Sequence, residues 1–213
     1  MRATHVAASC VGVAMGAEVG VKAVYSHVPE TLKSSAAVLA FGDSLTAAGL
    51  GSIPYGIFLA ELLGVKVEVA GVWGETTQGM LGRLRSFASI FGVPRVVLLL
   101  GGTNDLARVP AASTISNLKA MHELAASHGA VVGVLGMPHF LDPRVGTWSK
   151  LLAINDVLAG LQQNYSFPSF FVNLSSLATR HLYDGLHFNS NGYFEMAKMV
   201  ARVLQPWLNQ SIG

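Results

Sequence analysis

The stretch Ala36-Ala37-Val38-Leu39-Ala40-Phe41-Gly42-Asp43-Ser44-Leu45 decides how this chain is read. The apolar run 36–41 predicts a buried strand that ends at a glycine, and an acid and a hydroxyl follow at once. In an open α/β sheet the carboxyl ends of the strands line the ligand crevice, so Ser44 stands where chemistry is done rather than where side chains pack. Taken alone, the stretch has a plainer reading, a strand-to-helix turn in which Asp43 or Ser44 caps the helix. The rest of the chain decides between the two.

Working outward, Val65, Val67 and Val69 alternate as a second strand, 96–100 is a wholly apolar third, 130–135 a fourth and 170–174 a fifth. Between them, helical periodicity covers 55–63, 77–90, 113–128 and 148–163, and a last helix spans 191–208. Glycines at 64 and 129 stop two of these helices. Strands alternating with helices predict an α/β domain, and strands as uniformly apolar as 96–100 predict a parallel sheet covered on both faces. No internal repeat or low-complexity tract interrupts the pattern.

The composition narrows the function classes. A chain of 213 residues suits one domain with a sizeable core. The net charge is +2, with no dense Lys/Arg run and no basic segment interleaved with aromatics, which excludes nucleic acid as the expected partner. Charged residues make up 12%, hydrophobic residues 51%, and mean hydropathy is +0.47. So apolar a balance draws attention to the N-terminal segment. Residues 1–35 read as an extension to a domain at 36–213. Within the extension, 1–17 carries Arg2 and His5 ahead of a small-residue apolar run and no acid before Glu18. It reads either as a targeting segment, which would direct the protein out of the cytosol or into an organelle, or as an ordinary appendage. No uninterrupted apolar stretch reaches the roughly 18 residues needed to cross a bilayer as a helix. Cys10 is the sole cysteine, so no disulfide forms within one chain. The sequons at Asn164, Asn173 and Asn209 are short patterns that arise by chance.

Three further blocks follow apolar runs in order: Gly74, Gly102-Thr103-Asn104-Asp105 and Asp184-Gly185-Leu186-His187. Together with Gly42-Asp43-Ser44-Leu45 they resemble the SGNH (GDSL-type) hydrolase family, over about 36–208. The resemblance implies a flavodoxin-like, three-layer α/β/α fold with a five-stranded parallel sheet. It implies a serine esterase or lipase that needs neither metal nor organic cofactor. Its partner would be a small ester: a lipid, an O-acetylated sugar, a thioester or an aryl ester.

Ester hydrolysis needs a nucleophile, a base, a group to orient that base, and donors for the developing oxyanion. Ser44 is the candidate nucleophile, in a turn that lacks the second glycine of the Gly-x-Ser-x-Gly elbow. His187 is the candidate base, with Asp184 three residues ahead to fix its tautomer. His139, with Asp142 nearby, competes for the same role. The resemblance implies that Ser44 and Gly74 give backbone N–H groups to the oxyanion hole and that Asn104 gives its side-chain amide. A glycine at 74 lets the amide approach a ligand closely, and Asn104 carries two amide hydrogens. Asp105 reads as a helix cap or turn residue, Glu75 is given no catalytic role, and Trp73 either narrows the mouth of the site or packs under its loop. Acyl transfer to an alcohol, and a binding module that has kept the fold without turnover, are the competing functions.

Overall fold

The structure is a computed structural model and describes residues 36–49 and 51–209. The N-terminal extension, with Cys10 and the segment 1–17, lies outside them. Strand β1 (Val38–Gly42) is an inner strand of the sheet and is followed by a single helical turn, α1 (Ser44–Ala47). Then come α2 (Tyr55–Leu63), β2 (Val67–Gly71), α3 (Thr77–Phe91), β3 (Val96–Leu100), α4 (Ala111–Ser127), β4 (Val131–Leu135), α5 (Trp148–Gln163), β5 (Ser169–Val172) and α6 (Ser190–Leu208). All four strand pairings are parallel, in the order β2-β1-β3-β4-β5.

The pleat explains why β1, β3 and β4 are apolar throughout. Val38, Ala40, Val96, Leu98 and Val131 point to one face and pack against α2 and α6, through Tyr55, Leu59, Met196 and Val200. Leu39, Phe41, Val97, Leu99 and Val132 point to the other and pack against α3, α4 and α5, through Met80, Leu84, Leu118, Met121 and Ile154. A strand buried on both sides has no position for a polar residue, so alternation disappears from its sequence.

This strand order places a topological switch beside β1. The chain leaves β1 toward β2 on one side and returns by α3 to β3 on the other, and the crevice opens between the two departing connections. Ser44 stands at that point. Gly42 is required for it: a Cβ there would lie 2.2 Å from Thr46 Oγ1 and 2.3 Å from the Leu100 carbonyl. The tight exit from β1 into α1 therefore has room for no side chain.

Candidate active site

Asp43 is the N-cap of α1. Its Oδ1 accepts from the Leu45 N–H at 2.9 Å, and its carbonyl accepts from Thr46 and Ala47. The plain capping reading of the sequence therefore holds for Asp43. The cap fixes the turn from which Ser44 projects, while the Ser44 amide lies outside these capping bonds. The Asp43 side chain is fully buried. Burial, opposed by the bond from Leu45 and reinforced by the Asp105 and Glu75 carboxylates, pushes its pKa up to about 7.

Across the sequence from Ser44, the loop 182–188 doubles back on itself through an antiparallel bridge between Leu182 and Phe188. The Tyr183 N–H donates to the His187 carbonyl at 3.0 Å. The Gly185 carbonyl accepts from the Leu141 and Asp142 amides, at 2.6 and 3.1 Å, so the 138–146 loop braces this turn. Within it, Asp184 Oδ1 accepts from the Leu186 and His187 amides at 2.9 and 2.7 Å. The carboxylate is thereby aimed before it meets the imidazole.

Asp184 Oδ2 lies 2.7 Å from His187 Nδ1, and His187 Nε2 lies 2.9 Å from Ser44 Oγ. An ionised carboxylate only accepts, so Nδ1 carries the proton and Nε2 is left to accept from the serine hydroxyl. Burial alone would raise the Asp184 pKa, but bonds from the His187 ring and from the His187 and Leu186 amides hold it below the ordinary carboxylate range. Ser44 and His187 are buried, whereas the Asp184 side chain remains 40% exposed. Solvent therefore screens the carboxylate's effect on the imidazole.

The three candidate oxyanion donors come from different loops. Gly74 follows β2 in the segment 72–76, at φ +69, and a Cβ on it would meet nothing within 4 Å. The need for glycine here is therefore set by the left-handed backbone, not by the close approach expected from sequence. Asn104 lies in a 3₁₀ turn, 103–105, after β3. Its Nδ2 donates to the Glu75 carbonyl at 3.0 Å, which ties the Asn104 loop to the Gly74 loop.

Asp105 caps α3, a helix that precedes it in the chain. Its carboxylate accepts from the N–H of Thr77 at 3.1 Å and from the Thr77 hydroxyl, at the start of α3. It thus joins the same two loops a second time. Lys150, which the sequence did not single out, donates from Nζ to the carbonyls of Leu106 and Val109, at 2.8 and 2.6 Å, and steadies the chain beyond Asn104.

The competing pair is drawn apart. The His139 ring stacks on Trp148, with centroids 4.7 Å apart, while both Asp142 oxygens bond Arg144. Trp73 does not pack under its loop: it is 50% exposed, with its ring centroid 5.0 Å from that of His187. Tyr183 stands near the imidazole as well, at 6.2 Å. Both rings are about half exposed beside the imidazole, which is itself buried. Among the described residues no cluster of His, Cys, Asp or Glu could hold a metal ion, and no helix is long and apolar enough to cross a membrane.

Comparison with known proteins agrees with this architecture. A lipase/acylhydrolase from Enterococcus faecalis superposes with a TM-score of 0.68 at 22% identity, over 80% of this chain and 95% of that one. A GDSL-like lipase from Bacteroides thetaiotaomicron gives 0.66 at 22%, over 80% and 88%. A member of the lipolytic G-D-S-L family from Veillonella parvula gives 0.65 at 22%, over 78% and 96%. At these identities the likeness is one of fold. No curated protein matches the chain. The sequence model of the GDSL-like lipase/acylhydrolase family matches residues 40–193, which hold the end of β1, strands β2 to β5, Ser44, Gly74, Asn104, Asp184 and His187, and the chain belongs to that family.

Proposed function

We propose that this protein is a carboxylic ester hydrolase acting through an acyl-enzyme on Ser44. The observation that carries the reading is the hydrogen-bonded line Asp184 to His187 to Ser44, which joins groups 143 residues apart in the chain. Ser44 Oγ attacks the ester carbonyl as His187 Nε2 takes its proton, and the carbonyl oxygen becomes an oxyanion facing the Ser44 and Gly74 amides and the Asn104 side chain. The C–O bond to the alcohol then breaks, with His187 giving its proton to the departing oxygen. Water, deprotonated by His187, attacks the acyl-enzyme and returns Ser44 to its starting state. An alcohol in place of that water would complete acyl transfer instead.

The exposed rings of Trp73 and Tyr183 beside His187 favour esters with an apolar or flat group over charged ones. The test is hydrolysis of p-nitrophenyl esters from acetate to palmitate, with and without methanol as competing acceptor, by native protein and by Ser44→Ala. Ester cleavage should fall by more than about 10³-fold in the variant with melting temperature unchanged. Methyl ester formed in preference to free acid would turn the assignment toward acyl transfer. Undiminished cleavage by a folded Ser44→Ala would end it.

A further inference from the structure

Beneath the crevice, one guanidinium touches every strand end and loop that carries a candidate oxyanion donor, directly or through its partner. Arg83, on α3, donates from Nη2 to the carbonyl of Gly42 at 2.9 Å, two residues before Ser44, and from Nη1 to the carbonyl of Ala70 at 3.1 Å, in β2. Its Nε lies 3.0 Å from each oxygen of Glu75, and its Nη2 lies 2.6 Å from Oε2. The guanidinium also lies 3.9 Å from the centre of the Phe41 ring, which holds its plane against the sheet. Glu75, the residue after Gly74, accepts through its own carbonyl from Asn104 Nδ2. An amide nitrogen has two hydrogens, so this bond fixes the plane of the Asn104 side chain and leaves the second hydrogen to the crevice.

We propose that Arg83 and Glu75 are positioning residues for the oxyanion hole. The pair sets the spacing between the Ser44 amide at the end of β1, the Gly74 amide in the 72–76 loop and the Asn104 amide after β3. It touches no substrate. The inference rests on the ester hydrolase reading above and gives Glu75 a role that its sequence position did not show. Only a planar fork can serve these acceptors together: a lysine would keep the charge and reach one or two of them. Donors fixed before the reaction stabilise the transition state because nothing has to reorganise as charge develops, so loosening them lowers kcat rather than substrate affinity.

The experiment measures kcat, KM, the pH–rate profile and melting temperature for Arg83→Met, Arg83→Lys and Glu75→Gln, each also in an Asn104→Ala background, with Ser44→Ala in the same panel. Arg83→Met should lower kcat by about 10- to 100-fold, part of the 10² to 10³ that loss of a whole donor causes, with KM within about threefold and the acidic limb unmoved. Arg83→Lys should resemble Arg83→Met, and Glu75→Gln, which keeps size and an acceptor, should fall in the same direction by less. In the Asn104→Ala background the Arg83→Met factor should shrink at least about threefold, because part of what the pair positions is gone. A kcat within about twofold of native, whatever the melting temperature does, overturns the proposal, as does an identical factor in both backgrounds. Should Arg83→Met not fold, an unchanged kcat in Glu75→Gln overturns it alone. An active Ser44→Ala would instead strike the hydrolase reading, so the two failures are told apart.

Discussion

Asp43→Asn deletes one ionisable group from the floor of the site and keeps its cap, since a carboxamide oxygen can accept from the Leu45 N–H as Asp43 Oδ1 does. The native side chain is fully buried, and its Oδ2 meets no protein donor. The ionisable groups nearby are Arg83, which donates to the adjacent Gly42 carbonyl and pairs with Glu75, the Glu75 and Asp105 carboxylates, and the Tyr55 and Tyr193 phenols; burial drives both phenol pKa values upward, so neither is charged. Burial first, then those two carboxylates, lifts Asp43 from 3.8 to about 7. Between these values the folded protein holds a proton that the unfolded chain has released. The resulting stability is fully present below pH 3.8 and is lost as pH rises through about 7. At about 1.4 kcal/mol per pH unit the whole span is on the order of 4 kcal/mol, of which roughly 3 falls between pH 5 and 8. For a domain of this size, that is a loss of about 6 to 12 °C in melting temperature. Scanning calorimetry at half-unit steps should show the gap in melting temperature between Asp43→Asn and native protein, the variant higher, widening by about that amount from pH 5 to pH 8. A constant gap across the range would refute the buried, neutral carboxyl.

Asp184→Asn should lower kcat by about 10- to 100-fold, less than the roughly 10⁴ seen where the triad acid is fully buried, because the Asp184 side chain is 40% exposed and screened. A kcat within about twofold of native would contradict the pairing. Asn104→Ala should cut kcat by about 10² to 10³ with KM and pH profile nearly unchanged, and a shifted profile would count against its place in the oxyanion hole.

How much of this was legible in the sequence follows the range of each interaction. The strands were readable because β1, β3 and β4 are apolar on both faces, and Ser44, Asn104 and His187 because each stands just beyond an apolar run or in a loop before a helix. Asp184 and His187 are three residues apart, so one turn could be expected to present both. The Asn173 sequon proves to be a cap, its side chain accepting from the amide and hydroxyl of Ser175. What stayed hidden are partnerships between a side chain and a distant backbone: Arg83 with the carbonyl of Gly42, Asp105 with the amide of Thr77, Lys150 with the carbonyl of Val109. Such contacts depend on where the sheet brings separate loops, and neither periodicity nor turn chemistry records that. The one trace was Glu75, in the loop before α3, followed eight residues later by Arg83 on α3, a separation that no helical pairing pattern picks out.

The most direct test of Ser44 as nucleophile is intact-protein and peptide mass analysis after exposure to a fluorophosphonate. One phosphonyl group per chain should appear, located on Ser44, with hydrolysis lost in proportion to labelling, and none should appear on Ser44→Ala. A folded, ester-cleaving protein that takes no label, or takes it on another serine, would contradict the mechanism.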